Sequence, residues 1–263
     1  MNPDVAIPVD VKLMNMTALV LFFAFVVAGA VATGRWVMRL PAFDIAGIAV
    51  SGDVSHNNVL NLRANVAPRL SGTFFSIDLA KVQAAFESVP WVRHAVVHRE
   101  FPNRLHVVLQ EHQAVAYWGS DSELRLINNF GEVFEANVGD VEQDGLPMLN
   151  GPDGQGPDVL AMYRVLAPMF EQMELALEGL ELSGGGSWRA QLDTGATIEL
   201  GRGDATEVTG RVRRFLKTLT QVTTRYARRN SALEAADLRH ENGYAIRLRG
   251  VSTTVPTVPK KSR

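Results

Sequence analysis

The chain has 263 residues, with 26 basic against 28 acidic side chains, a net charge of −2 and no cysteine. The absence of cysteine excludes disulfides and thiol chemistry, and the near-balanced charge argues against bulk nucleic-acid binding. Apolar content is ample for a core, and the ~225 residues that follow the first apolar run make one large or two small domains.

That run, Met16 to Gly34, carries no charge. As a helix it spans roughly 28 Å, close to the ~30 Å hydrocarbon core of a bilayer. Lys12 precedes it, Arg35 and Arg39 follow, and Trp36 stands where an interfacial aromatic belongs. Ala28-Gly-Ala30 and Ala30-Val-Ala32 also fit a signal-peptide cleavage site. The residues alone therefore leave an uncleaved span and a cleaved signal both open. One Lys and two Asp before the run and two Arg after it lean, if anything, against a cytoplasmic N-terminus.

Phe43 to Val50 alternates and ends at the turn Ser51-Gly52-Asp53, which predicts a strand. Ser55 can cap a helix over Asn57 to Leu70, with Val59, Leu62 and Val66 on one face. Asp78 suits the N-cap of a second helix with Leu79, Val82, Phe86 and Val89 as its stripe, ended by Pro90. Trp91 to Arg99 and Leu105 to Glu111 are β-rich and joined at Phe101-Pro-Asn-Arg104. Strand, helix, helix, strand, strand makes an α+β unit of about 70 residues, two helices covering a three-stranded sheet.

Further on, Ala114 to Trp118, Leu124 to Asn128 and Glu132 to Glu135 read as short strands, the last two joined by a turn at Asn128-Asn129-Phe130-Gly131. Leu146 to Pro157 reads as a Gly/Pro loop. A helix is predicted from Asp158 to Leu177, with Pro168 expected to kink it. Leu180 to Leu182, Trp188 to Asp193 and Thr197 to Leu200 are predicted strands. A long helix follows from Ala205 to about Arg229, with Val208, Val212, Phe215, Leu216, Leu219, Val222 and Tyr226 at 3/4 spacing. Ala235 to Arg239 and Tyr244 to Arg249 form a hairpin across Glu241-Asn242-Gly243, where Asn-Gly suits a type I′ turn. Val251 to Arg263 is Pro/Thr/Lys-rich, the composition of a disordered tail.

Few residues suggest chemistry. Gly201-Arg-Gly-Asp204 contains an adhesion tripeptide, but Asp204 and Glu207 have the spacing of a capping box at the start of the long helix. Gly184-Gly-Gly186 lacks the Gly-Lys-Ser/Thr and the helix of a phosphate cradle, so it reads as a mobile hairpin loop. His94 and His98 share a strand face, and so do His106 and His112, which makes a metal site across that hairpin conceivable. No acidic or cysteine ligand accompanies them at metal spacing, so exposed strand histidines are the better reading. G-x-S-x-G, H-E-x-x-H and S-x-x-K are absent. The basic residues of the long helix, Arg211, Arg213, Arg214, Lys217, Arg225, Arg228 and Arg229, could bind anionic lipid or a polyanion, but a solvated face with Arg favouring the C-terminal end is the better reading. The terminal hairpin is the last ordered element in sequence. If it also ends the sheet, it offers an unpaired edge that either receives a partner strand or is capped, and chemistry alone does not choose.

Taken together and in order, several segments resemble the FtsQ/DivIB family of bacterial cell-division proteins. They are Ile48-Ala-Val50-Ser-Gly52, Val89-Pro-Trp-Val92, Phe101-Pro-Asn-Arg-Leu105-His-Val107-Val-Leu109-Gln-Glu111 and Ala116-Tyr-Trp118. They continue with Asn129-Phe-Gly131-Glu-Val-Phe134, Leu146-Pro-Met-Leu-Asn-Gly-Pro152, Leu200-Gly-Arg-Gly-Asp204 and Asp237-Leu-Arg239. The resemblance implies an α+β, single-span protein with a cytoplasmic tail (1–14), a transmembrane helix (15–35), a POTRA domain (43–112), a C-terminal antiparallel β domain with two long helices (113–250) and a disordered tail (251–263). It implies a non-enzymatic scaffold without cofactor, small-molecule substrate or nucleic acid, anchored in the inner membrane with its C-terminal domains periplasmic and enriched at the septum. The implied partners are FtsB and FtsL, with further divisome proteins at the POTRA domain. FtsB would add a strand at Arg239, His240, Asn242, Gly243, Tyr244, Ile246 and Leu248. A POTRA-bearing assembly factor and a cell-wall enzyme are the alternatives. His240 and Leu248 stand where the enterobacterial pattern has Tyr and Trp, Gly184 to Gly186 where it has two arginines, and Ala114 for a common Pro. Tyr244 is the aromatic left to compensate.

Overall fold

Helix α1 (Val9–Val37) is 29 residues long, about 43 Å, and so longer at both ends than the apolar run. Its large apolar side chains, Phe22, Phe23 and Phe25 among them, stay exposed in the protein. A helix that is apolar on every side and buries nothing is suited to lipid rather than to a core, and α1 is long and apolar enough to cross a membrane. The computed structural model describes residues 9–38, 40, 43–56, 62, 66, 68, 70–120, 123–141, 145–240 and 243–251. The chain divides into two compact units, Met1–Glu111 and His112–Arg263.

In the first unit, β1 (Gly47–Gly52), α2 (Leu79–Glu87), β2 (Val92–Glu100) and β3 (Arg104–Glu111) follow α1. The sheet order is β1-β3-β2, with β1 parallel and β2 antiparallel to β3. The strand predicted from Phe43 starts at Gly47 instead, because Asp44 forms a separate bridge with Thr73. Asp78 caps α2 by accepting from the Ala80 and Lys81 N–H groups. Leu105, Val107 and Leu109 point to one side of β3 at period two, against Val82 and Phe86 of α2 and Ala95 and Val97 of β2. The predicted helix Asn57 to Leu70 lies outside the described residues except at Leu62, Val66, Pro68 and Leu70; Leu62 and Val66 are buried in this core.

The second unit contains β4 (Ala114–Trp118), β5 (Arg125–Asn128), β6 (Val133–Phe134), β7 (Met148–Asn150), α3 (Gly156–Glu171), β8 (Leu177–Leu182), β9 (Ser187–Leu192), β10 (Thr197–Arg202), α4 (Ala205–Arg225), β11 (Leu233–Asp237) and β12 (Ala245–Leu248). Among the described residues they make one nine-stranded sheet, β12-β11-β10-β9-β8-β7-β4-β5-β6. It is mixed rather than purely antiparallel: β4–β7, β7–β8 and β10–β11 are parallel. Parallel neighbours need a crossover, and α3 and α4 supply two of them. Both helices bury their stripes in one core with Trp118, Leu149, Trp188, Ile198 and Leu248.

Four expectations are corrected here. The Gly/Pro loop contains β7, too short to show alternation, whose Leu149 is fully buried between β4 and β8. Helix α3 starts at Gly156 and stops at Glu171, with Pro168 inside it. Glu174 then takes a positive φ of 59°, and Leu177 opens β8. Helix α4 stops at Arg225, where Ala227 turns at φ 54°. Tyr226, read as part of the stripe, is exposed, and Thr223 is buried instead. The terminal hairpin is not a two-residue type I′ turn, because its connection runs from Leu238 to Tyr244 and Gly243 lies outside the positive-φ region. The tail predicted after Val251 lies outside the described residues.

Candidate partner-binding edge

Strand β12 is the last strand of the sheet, and among the described residues nothing pairs with its outer side. The Arg249 N–H donates to the Ala232 carbonyl at 2.8 Å. In an antiparallel ladder, residues alternately face the partner strand and face away. Counting back from Arg249, Arg247 and Ala245 bond toward β11. The N–H and C=O of Ile246 therefore point outward, and so does the N–H of Leu248; the Leu248 C=O accepts from Val251 at 3.2 Å.

Side chains alternate the other way. Leu248 is 5% exposed and packs in the core, so it meets a partner only through its backbone. Ile246 is half-buried on the same face. Ala245 and Arg247 lie exposed on the opposite face, with Arg247 3.7 Å from Glu234. Charge on an outer strand discourages indiscriminate pairing.

Just before β12, the Tyr244 ring stands edge-on to Phe215 at 5.0 Å, and its hydroxyl is 2.6 Å from the Thr218 hydroxyl. Both contacts come from α4 and fix the aromatic ring beside the edge. A groove of about 510 Å³ opens here between α4 and the β11–β12 connection, lined by Arg211, Arg214, Lys217, Thr218, Leu238, His240, Gly243 and Tyr244. Arg211 is anchored by donation to the Leu200 and Arg202 carbonyls. Arg214 and Lys217 follow at three-residue steps along the same helix face. The helix cations read from sequence as a solvated face thus include three that line this groove. Their three-residue spacing was visible in the sequence; the strand end they meet was not.

At the exit of β11, Arg239 grips Asp237 through two bonds, Nε–Oδ1 at 2.9 Å and Nη2–Oδ2 at 2.6 Å. The Asp237 carboxyl is held down at about 2, first by the Arg239 side-chain bond; partial burial opposes this, and the Arg239 N–H adds to it. Arg239, His240, Gly243, Tyr244 and Ile246 therefore lie along one stretch of the sheet's end. His240 and Gly243 are exposed. Asn242 lies outside the described residues.

The other candidates resolve into structure. Asp204 accepts from the Glu207 N–H at 2.8 Å while Glu207 accepts from the Asp204 N–H at 3.3 Å, a complete capping box. Gly184 to Gly186 form a closed hairpin turn, with the Gly186 N–H on the Ser183 carbonyl. His94 bonds Glu87 and His106 bonds Ser51. Among the described residues no three His, Asp or Glu side chains gather at metal distance.

Comparison with known proteins follows the two units. The profile described as "POTRA domain, FtsQ-type" matches residues 43–112, and that described as "Cell division protein FtsQ/DivIB, C-terminal" matches residues 116–239. The second match stops before β12. The chain is 37% identical to a cell division protein FtsQ of Thiomonas arsenitoxydans, over 93% of this chain and 90% of the relative. It is also 37% identical to that of Burkholderia pseudomallei, over 92% and 94%, and 34% identical to that of Bordetella pertussis, over 91% and 92%. With both profiles in chain order and relatives matching nearly end to end, the chain belongs to the FtsQ/DivIB family of bacterial cell-division proteins.

Proposed function

We propose that this protein is a bitopic divisome scaffold that receives the FtsB–FtsL complex by addition of an FtsB strand to β12. The observation that carries this reading is Ile246, whose N–H and C=O point away from β11 with no partner strand among the described residues. A strand laid there would gain main-chain bonds at Ile246 and the Leu248 N–H. Ala245 and Arg247 on one face and the Tyr244 ring beside them supply side-chain contacts. The groove cations suit acidic residues flanking that strand. In this reading Arg239, His240, Asn242, Gly243, Tyr244 and Ile246 form the contact surface, while Leu248 contributes backbone only. The N-terminus in this reading lies in the cytoplasm and the domains after α1 lie in the periplasm at the septum, with other divisome proteins meeting the domain at 43–112. Reporter fusions at each chain end test that orientation.

The decisive experiment compares two prolines. Ile246→Pro removes a donor that only a partner would use. Ala245→Pro removes one that β11 already uses. The full-length Ile246→Pro variant is expected to keep a cooperative thermal transition and to lose retention of FtsB in a pull-down. Retention by a folded Ile246→Pro variant overturns strand addition at β12.

A further inference from the structure

The first unit carries an aromatic cluster that its core does not absorb. Phe43 and Phe75 meet edge to face at 5.0 Å, Phe74 meets Phe75 at 5.2 Å, and Phe74 meets Phe101 at 6.3 Å. Phe74 is buried, but Phe75 is 44% and Phe101 77% exposed. These rings come from three separate stretches: the entry to β1, the loop before α2 and the β2–β3 turn. The Phe74 N–H bonds the Phe43 carbonyl at 2.8 Å, and the Ala46 N–H bonds the Asn103 carbonyl at 2.9 Å. Arg99 donates to the Phe74 and Ile77 carbonyls, both at 2.8 Å, and so fixes the loop that presents Phe75. The cluster is a built surface rather than a loose loop.

Its position is set by one further bond. The Thr73 hydroxyl donates to the Met38 carbonyl at 3.1 Å, directly after α1 ends at Val37. The exposed Trp36 lies on the last turn of α1. The exposed rings of the folded unit therefore sit next to the end of the membrane helix. Apolar side chains of membrane-surface segments, phenylalanine among them, enter the headgroup–acyl boundary to a depth of about 5–10 Å. At the rim Glu100 stands opposite Arg104 in the ladder, and the exposed Asp44, bridged to Thr73, is offset by Arg99 on the Phe74 carbonyl, so the formal charges around the rings sum to zero.

We infer that Phe75 and Phe101 are membrane-docking residues that seat the first unit on the leaflet at the C-terminal end of α1, in the headgroup–acyl boundary. The occupant is the lipid surface itself, continuous with the bilayer that α1 crosses. The inference rests on α1 being a span, and the test separates the two.

The chain has no cysteine, so single spin labels are placed cleanly. Full-length protein carrying Phe75→Cys, Phe101→Cys, Lys81→Cys or Ala24→Cys is labelled with a nitroxide. Each is reconstituted in vesicles of phosphatidylethanolamine and phosphatidylglycerol, and accessibility to oxygen and to a nickel chelate is measured. Each phenylalanine variant keeps the other ring, and Lys81 is an exposed reference on α2. The labels at 75 and 101 are expected to shift toward oxygen relative to 81, between 81 and the deeply placed 24. Labels at 75 and 101 as open to nickel as 81, with 24 shielded, overturn the inference and leave the span intact. A label at 24 as open to nickel as 81 overturns the span and the inference with it. A thermal scan of each labelled protein confirms the fold.

Discussion

Arg239 holds Asp237 from two residues away through two guanidinium–carboxylate bonds, from Nε at 2.9 Å and from Nη2 at 2.6 Å. The pair turns the chain where it leaves β11 and heads into the connection to β12. It rests against Gly201, where an added Cβ would lie 3.0 Å from Arg239 Cγ.

Because Asp237 is depressed to about 2 in the folded protein, the sign of its pH linkage follows. The contribution is complete above the unfolded carboxylate value of ~3.9 and is lost as pH falls through about 2. Arg239→Gln is expected to return the Asp237 carboxyl to the ordinary range, read by carboxyl NMR titration. The stability difference between wild type and variant should be flat at neutral pH and shrink on acidification. An unmoved Asp237 titration would show that the pair does not hold in solution.

Asn128 is fully buried and uses its whole side chain. Its Oδ1 accepts from the Phe130 and Glu132 N–H groups, both at 2.9 Å; its Nδ2 lies 2.6 Å from Glu132 Oε2 and 2.9 Å from His112 Nδ1. Asn128→Ala strands two backbone donors, and a loss of about 2 to 4 kcal/mol is expected in urea unfolding. A loss under about 0.5 kcal/mol would mean that water replaces the amide.

The capping box at α4 gives a smaller, cleaner number. Asp204→Ala should cost about 1 kcal/mol, with Asp204→Asn retaining most of it. Denaturant midpoints at constant slope decide this. Equal losses for both substitutions would implicate charge rather than the cap.

Tyr244→Phe keeps the ring on Phe215 and removes only the bond to Thr218. About 1 kcal/mol of stability should go, with FtsB retention far less affected than by Ile246→Pro. Full loss of retention in Tyr244→Phe would transfer the anchoring role from the strand backbone to the tyrosine hydroxyl.

Periodicity made much of this fold legible. The α4 stripe from Val208 to Leu219 is buried as its spacing requires, and the alternation of β3 reports its core face directly. What stayed hidden depends on distant partners. Gly131, read as a local turn residue, has φ 85°, and an added Cβ would fall 2.5 Å from Pro157 Cα; it is glycine because the start of α3 lies against it. Strand β7 is recognisable only through β4 and β8 on either side. The outer edge of the sheet could be guessed from chain order. Which residue of β12 faces outward could not, because that depends on where Arg249 bonds. The basic residues of α4 looked solvated, since sequence cannot say what a helix face overlooks.

Strand β7 also has a mechanical meaning. Its three residues join β4, β5 and β6 to the five strands from β8 to β12. A pull entering the second unit at Gln113 and leaving through a strand seated on β12 crosses the sheet at that seam. The β4–β7 ladder there is parallel and pairs only Tyr117 with Met148 and Trp118 with Leu149, reinforced by the Tyr117 N–H on the Pro147 carbonyl and the Gly119 N–H on the Leu149 carbonyl. If a partner strand is seated on β12, this two-pair ladder is the shortest on the path across the sheet and the first expected to part under load.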